Sequence, residues 1–259
     1  MSNPFEPHLL LERVGAIRVL TLNHPETLNS VDADLHRTLA QVWRHIAEDT
    51  DARAVVLTGA GRLFCAGGDL RLVQEMQGDV DRRSRLLIEA RTIVEQMLNF
   101  PLPIVAAVNG AAVGLGASLA VLSDMVFIAE NAYMADPHVA VGLTAGDGGP
   151  LAWPFMTSLL RAKEYLMTGD RIPAHQAVAI GIANRVVSDD DLLAEATAFA
   201  QRLAALPPQA VQSTRRALNL HLLSAAGGLL DFAFAEEFKS FDRPDHKAIV
   251  SAFLAKSTT

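Results

Sequence analysis

The residues whose types best suit proton transfer are Asp136-Pro137-His138 and, nine positions beyond the histidine, Asp147 in the run Gly146-Asp147-Gly148-Gly149-Pro150. A histidine titrates near 6.5, so His138 can accept and return a proton at neutral pH, with Asp147 fixing its tautomer and stabilising its charged form. In the other reading Asp147 is itself the base or nucleophile and His138 positions water. Taken singly, each residue also fits ordinary turn chemistry. Two glycine-rich turns stand before them: Phe64-Cys65-Ala66-Gly67-Gly68-Asp69-Leu70, and Asn109-Gly110 running into Gly114-Leu115-Gly116-Ala117-Ser118. A turn of this kind, after a strand and before a helix, lets backbone approach a ligand. It also leaves the first helical N–H groups free to donate to an anion. The second turn is a poor dinucleotide fingerprint despite Glu130 downstream, because its third glycine position holds Leu119.

The elements that must carry these turns follow from hydropathy patterning. Leu9 to Leu11 and Ile17 to Leu22, separated by Gly15, read as a hairpin. Ser30 is expected to cap a helix whose apolar stripe is Leu35, Leu39, Val42, Trp43 and Ile46. Ala54 to Leu57, Ile104 to Val108 and Met125 to Ala129 are continuous apolar strands. A polar helix is expected from Asp69, and a longer one from Asp81 to Phe100, stopped by Pro101 and Pro103. Strands apolar on both faces and alternating with helices imply a parallel sheet covered on both sides. After about Leu159 the pattern is helical, and Val186-Val187 is the only further strand expected.

Bulk properties narrow the function. The net charge of −7 argues against a nucleic-acid partner, and the one cysteine, Cys65, excludes an intrachain disulfide. There is no basic, apolar-cored leader and no run of eighteen apolar residues, so a cytoplasmic protein without a membrane partner is expected.

The motifs occur in a telling order. Leu22-Asn23-His24-Pro25-Glu26 and Leu28-Asn29 precede the two glycine-rich turns. Ser123-Asp124 follows, then Leu166-Met167-Thr168-Gly169-Asp170-Arg171-Ile172, and finally Asn184-Arg185-Val186-Val187. This set resembles the crotonase (enoyl-CoA hydratase/isomerase) superfamily over about residues 8 to 256. The resemblance implies an α/β fold, a spiral of ββα/βαβ units. Residues 1–190 would hold the acyl-CoA site, and residues 191–259 would form a helical trimerisation region. It implies a homotrimer or hexamer, in keeping with the apolar segment Leu229, Leu230, Phe232, Phe234 and Phe238. It also implies an oxyanion hole made by the N–H groups of Ala66 and Leu115. Coenzyme A would enter as part of the substrate, with no permanent cofactor and no metal. Its contacts would come from Ala66, Gly67, Gly68, Asp69, Leu70 and Gly114, and from Lys256 near the pantetheine or phosphate.

The sequence departs from the hydratase pattern at its centre. The positions of the two hydratase glutamates hold Ser118 and His138. Asp147 falls on the loop where the chlorobenzoyl-CoA dehalogenases carry a catalytic aspartate. The His138–Asp147 interval, with His36 and Glu237, also resembles the oxocamphor hydrolases, which open carbon–carbon bonds of β-diketones. The Ala66-to-Asp69 loop keeps the thioester form. An acyl-CoA enzyme using His/Asp acid–base chemistry is therefore expected, with the β-diketone hydrolase and an inactive binding protein as alternatives.

Overall fold

Residues 3–257 are described by the computed structural model. Nine strands follow one another as β1 (Leu9–Val14), β2 (Ile17–Leu22), β3 (Ala54–Gly59), β4 (Ile104–Val108), β5 (Ala112–Val113), β6 (Met125–Ala129), β7 (Tyr133–Ala135), β8 (Ile172–Pro173) and β9 (Arg185–Val187). The main sheet has the order β1-β2-β3-β4-β6-β9. Its first pair is antiparallel, and every later pair is parallel. All residues of β3 and β4 are buried, as a parallel sheet covered on both faces requires.

Three strands, β5, β7 and β8, form a second small sheet beyond the single further strand expected from Val186-Val187. They are two or three residues long, too short for an alternating pattern to register.

The helices are α1 (Ala33–Ala47), α2 (Leu70–Gly78), α3 (Val80–Asn99), α4 (Leu115–Val121), α5 (Gly149–Met156), α6 (Leu159–Thr168), α7 (Ala174–Ala179), α8 (Leu192–Ala204), α9 (Pro208–Ser240) and α10 (Pro244–Ser257). Asp32, not Ser30, caps α1: its Oδ1 accepts from Asp34 N and Leu35 N at 3.1 and 2.8 Å. The start is displaced because Leu28 and Asn29 adopt left-handed backbone (φ 60° and 55°), which prolongs the loop. Asp79 ends α2 and caps α3, so the expected helix from Asp81 begins one residue earlier, at Val80.

Helix α9 is long and apolar enough, by length and composition, to cross a membrane. In the fold it packs on α3 and α5. Leu230 and Phe234 enter the core, while Phe232 stays exposed.

Candidate active site

Three chain segments are laced together around the first glycine-rich turn. Buried Asn29 donates to the carbonyls of Ala60 and Leu63 at 2.9 and 2.8 Å and accepts from His24 N at 2.8 Å. These bonds hold the left-handed turn against the end of β3 and repay its backbone strain. Next to it, Ala66 N–H donates to Leu28 O at 3.1 Å. The expected oxyanion donor at Ala66 is therefore already spent. Val31 N donates to Gly67 O and Asp69 N to Val31 O, a parallel bridge across Gly68. In such a bridge the flanking residues make the bonds, and Gly68 turns its own N–H to the opposite side.

The second turn supplies the partner donor. Gly114 sits at φ 53°, ψ −120°, a conformation open to glycine alone, and spends its own N–H on Ala135 O at 2.9 Å. Leu115 is then the first residue of α4, where a helical N–H has no carbonyl behind it. Among the described residues, the N–H groups of Gly68 and Leu115 donate to no protein acceptor. Both residues line one cavity of about 110 Å³. The donor pair is thus Gly68 and Leu115 in place of Ala66 and Leu115.

The same cavity gathers the ionisable residues. His138 Nδ1 is hydrogen-bonded to Asp136, and its Nε2 lies 3.7 Å from Asp147 Oδ2, an ion-pair separation. Asp147 Oδ1 accepts from Ser118 Oγ at 2.9 Å. Burial alone would disfavour the imidazolium. The charges of Asp136 and Asp147, the bond to Asp136 and the charge of Glu237 outweigh it and hold His138 well above the usual histidine range. Burial raises Asp147 above the usual carboxylate range against the pull of His138 and Ser118, with Asp136 adding to the rise. Glu237, on α9, is pushed up to about 8, first by burial, with His138 opposing and Asp147 and Asp136 adding. Its Oε2 meets no partner among the described residues. A Cβ on Gly146 would stand 2.1 Å from that oxygen, so a side chain there would force the Glu237 carboxyl out of this position.

The shifts favour a protonated imidazole at His138 and a neutral carboxylic acid at Glu237. A protonated imidazole has no lone pair with which to accept a proton, so the raised proton affinity of His138 weighs against the first reading of the pair. Asp147 has one oxygen held by Ser118 and a proton affinity raised by burial. Two groups of donor atoms lie close enough for a metal, Asp136/His138/Asp147 and His8/His24/Asp32. In the second, His8 Nδ1 and His24 Nε2 meet at 2.6 Å and share a hydrogen bond.

The remaining expected residues divide. His36 lines the cavity, as do Gly114 and Asp69, although the Asp69 carboxylate is engaged in capping α2. Ala66, Gly67, Leu70 and Lys256 do not line it, and Lys256 is exposed in the last turn of α10. Two participants were missed as site residues, Asp136 and Ser118. The signal for Asp136 was its place two residues before His138. For Ser118 it was occupation of a hydratase glutamate position.

The family model described as enoyl-CoA hydratase/isomerase matches residues 12–256. The chain belongs to the enoyl-CoA hydratase/isomerase family. Like this family member, the short-chain-enoyl-CoA hydratase of Clostridium acetobutylicum is built over the same length: the two are 30% identical over 250 residues, covering 96% and 95% of the chains. The 1,2-epoxyphenylacetyl-CoA isomerase of Escherichia coli is 33% identical over 242 residues, 93% and 92% of the chains. Among solved structures, an enoyl-CoA hydratase/isomerase from Mycobacterium paratuberculosis superposes with a TM-score of 0.94 at 51% identity, covering 96% of this family member and 100% of that chain.

Proposed function

We propose that this family member acts on an acyl-CoA thioester by forming its enolate, with Asp147 as the base. The thioester oxygen accepts from Gly68 N–H and Leu115 N–H. The Cα–H bond breaks, its proton passes to Asp147 Oδ2, and the electron pair moves onto the carbonyl oxygen. The two backbone donors stabilise the charge that develops there. Where the substrate is a β,γ-enoyl-CoA the electron pair spreads into a dienolate, and Glu237 is the acid that protonates it at Cγ, which moves the double bond into conjugation with the carbonyl. His138, held by Asp136, keeps a positive charge beside Asp147 that favours its ionised form, and the proton Asp147 has gained passes through solvent to ionised Glu237, which closes the cycle. The observation that carries this reading is the pair of unspent N–H groups sharing a cavity with Asp147. Water held between two glutamates is replaced by one carboxylate and one neutral acid, which suits proton relocation better than hydration. Coenzyme A is then part of the substrate. Exposed Phe155, Leu160, Leu218 and Phe232 support a homotrimer or hexamer, which sedimentation at micromolar concentration tests against a 27.8 kDa monomer.

The test is α-proton exchange. Butyryl-CoA incubated with the protein in D₂O should lose its α-proton signals in the proton NMR spectrum. A protein that binds butyryl-CoA yet exchanges nothing would end the proposal. A second reading, cleavage of a β-diketone carbon–carbon bond, draws support from Glu237 and His36 lining one cavity. Loss of the enol absorbance of a cyclic β-diketone, with no response to CoA thioesters, would favour it.

A further inference from the structure

The cavity has one polar atom that the proton chemistry does not use. His36 stands in the first turn of α1, 8% exposed, and its Nδ1 lies 2.9 Å from Glu89 Oε2 on α3. A carboxylate only accepts, so Nδ1 carries the proton, and in the neutral ring Nε2 presents a bare lone pair. His36 lines the cavity, and among the described residues Nε2 meets no protein partner. It is not one of the fully enclosed orphan atoms either, so it opens onto the cavity space. The walls around it are apolar: Leu72, Val73, Leu86, Leu87 and Ala90. This apolar lining suits an acyl chain, and His36 is set in it with a ring nitrogen that the proton transfer leaves unused.

Resting on the acyl-CoA reading above, we infer that His36 selects an acyl group bearing a hydroxyl beyond the reacting carbons, which donates to Nε2. A plain alkyl chain would cover this nitrogen and leave it unpaired, so the site discriminates against the substrate lacking the donor. Glu89 fixes the tautomer that makes the ring an acceptor and not a donor.

Calorimetric titration of the tag-free full chain tests this with two matched pairs: butyryl-CoA against 4-hydroxybutyryl-CoA, and valeryl-CoA against 5-hydroxyvaleryl-CoA. The hydroxylated member of at least one pair should bind about 3–10-fold more tightly, the range of a neutral hydrogen bond. In His36→Phe the ratio should collapse to unity. In His36→Gln, whose amide oxygen still accepts, part of it should return, which a role in packing alone would not produce. Ratios within twofold for both pairs in the parent would overturn the inference, as would a preference that survives His36→Phe. The parent measurement decides the matter even if a variant does not fold. If no CoA thioester binds at all, the acyl-CoA reading itself falls; binding without preference removes only the role of His36.

Discussion

Ser118 Oγ donates to Asp147 Oδ1 at 2.9 Å, so the residue at the position that resembles a hydratase glutamate is tied to a buried carboxylate on another loop. One oxygen of Asp147 is tied down, and the other faces His138 at 3.7 Å. Asp147→Asn keeps the shape and removes the base, so α-proton exchange should fall by about 10²–10⁴-fold. Ser118→Ala removes a donor that lowers the affinity of Asp147 for protons. The acid limb of its pH–rate profile should therefore move to higher pH. A loss below about tenfold in Asp147→Asn, with circular dichroism unchanged, would place the chemistry elsewhere.

The oxyanion donors can be tested separately because they belong to backbone. Leu115 is the first residue of α4, where proline is tolerated since the N–H makes no helical bond. Gly114, lacking Cβ, avoids most of the restriction that proline places on its predecessor. Leu115→Pro should lower the exchange rate by about 10²–10³-fold, the usual effect of one lost oxyanion donor. Leu115→Ala, which trims the same side chain and keeps the N–H, should lose far less. Equal losses in the two variants would mean that the leucine side chain, not its amide, matters.

Much of this architecture was readable from the chain. β3 and β4 announce themselves as unbroken apolar runs, and the glycine-rich turns as breaks before helices. His138, Asp147, Glu237, His36 and Leu115 were each named as candidates, and one cavity brings them together. The misplaced donor shows where such reading stops. Ala66 and Gly68 are two residues apart in one turn, and which N–H is free depends on Leu28 and Val31, some 35 positions earlier. Hydrogen bonds between distant segments leave no local pattern. The charge of His138 was unreadable for a similar reason, because it depends on how deeply Asp136, Asp147 and Glu237 are buried together.

Arg83 should govern whether the C-terminal helices close the cavity. Its side chain is wholly buried and donates to Met76 O and Phe238 O, each at 3.0 Å, and to Asp242. It also lies over the Phe238 and Phe241 rings, 4.7 and 5.4 Å from their centroids. This ties α3 to the end of α9, where Glu237 and Phe241 line the site. Arg83→Met leaves these carbonyls unpaired and should cost about 2–4 kcal/mol in urea denaturation. Hydrogen exchange in residues 237–250 should quicken more than in β3 and β4. Uniform quickening would show that Arg83 stabilises the whole fold and not this junction.

Glu237 should make the protein less stable as the solution becomes alkaline. Its carboxyl titrates near 4.5 when unfolded and is pushed up to about 8 in the folded chain, chiefly by burial. The folded state therefore holds a proton that the unfolded state releases. The associated stability is complete below about 4.5 and is lost as pH rises towards about 8. His138 acts with the same sign: its contribution is complete below 6.5 and is lost as pH rises through its elevated folded value. The urea midpoint should fall from pH 5 to pH 8.5. Glu237→Gln keeps the size, removes the titration and should flatten the part of that fall below pH 8, by at most a few kcal/mol. The same variant should reduce turnover, since the amide cannot give up a proton. In the parent, activity should decline above about pH 8 as the acid ionises. An unchanged stability slope in Glu237→Gln would show that the carboxyl is ionised in the folded chain. It could then no longer be the proton donor.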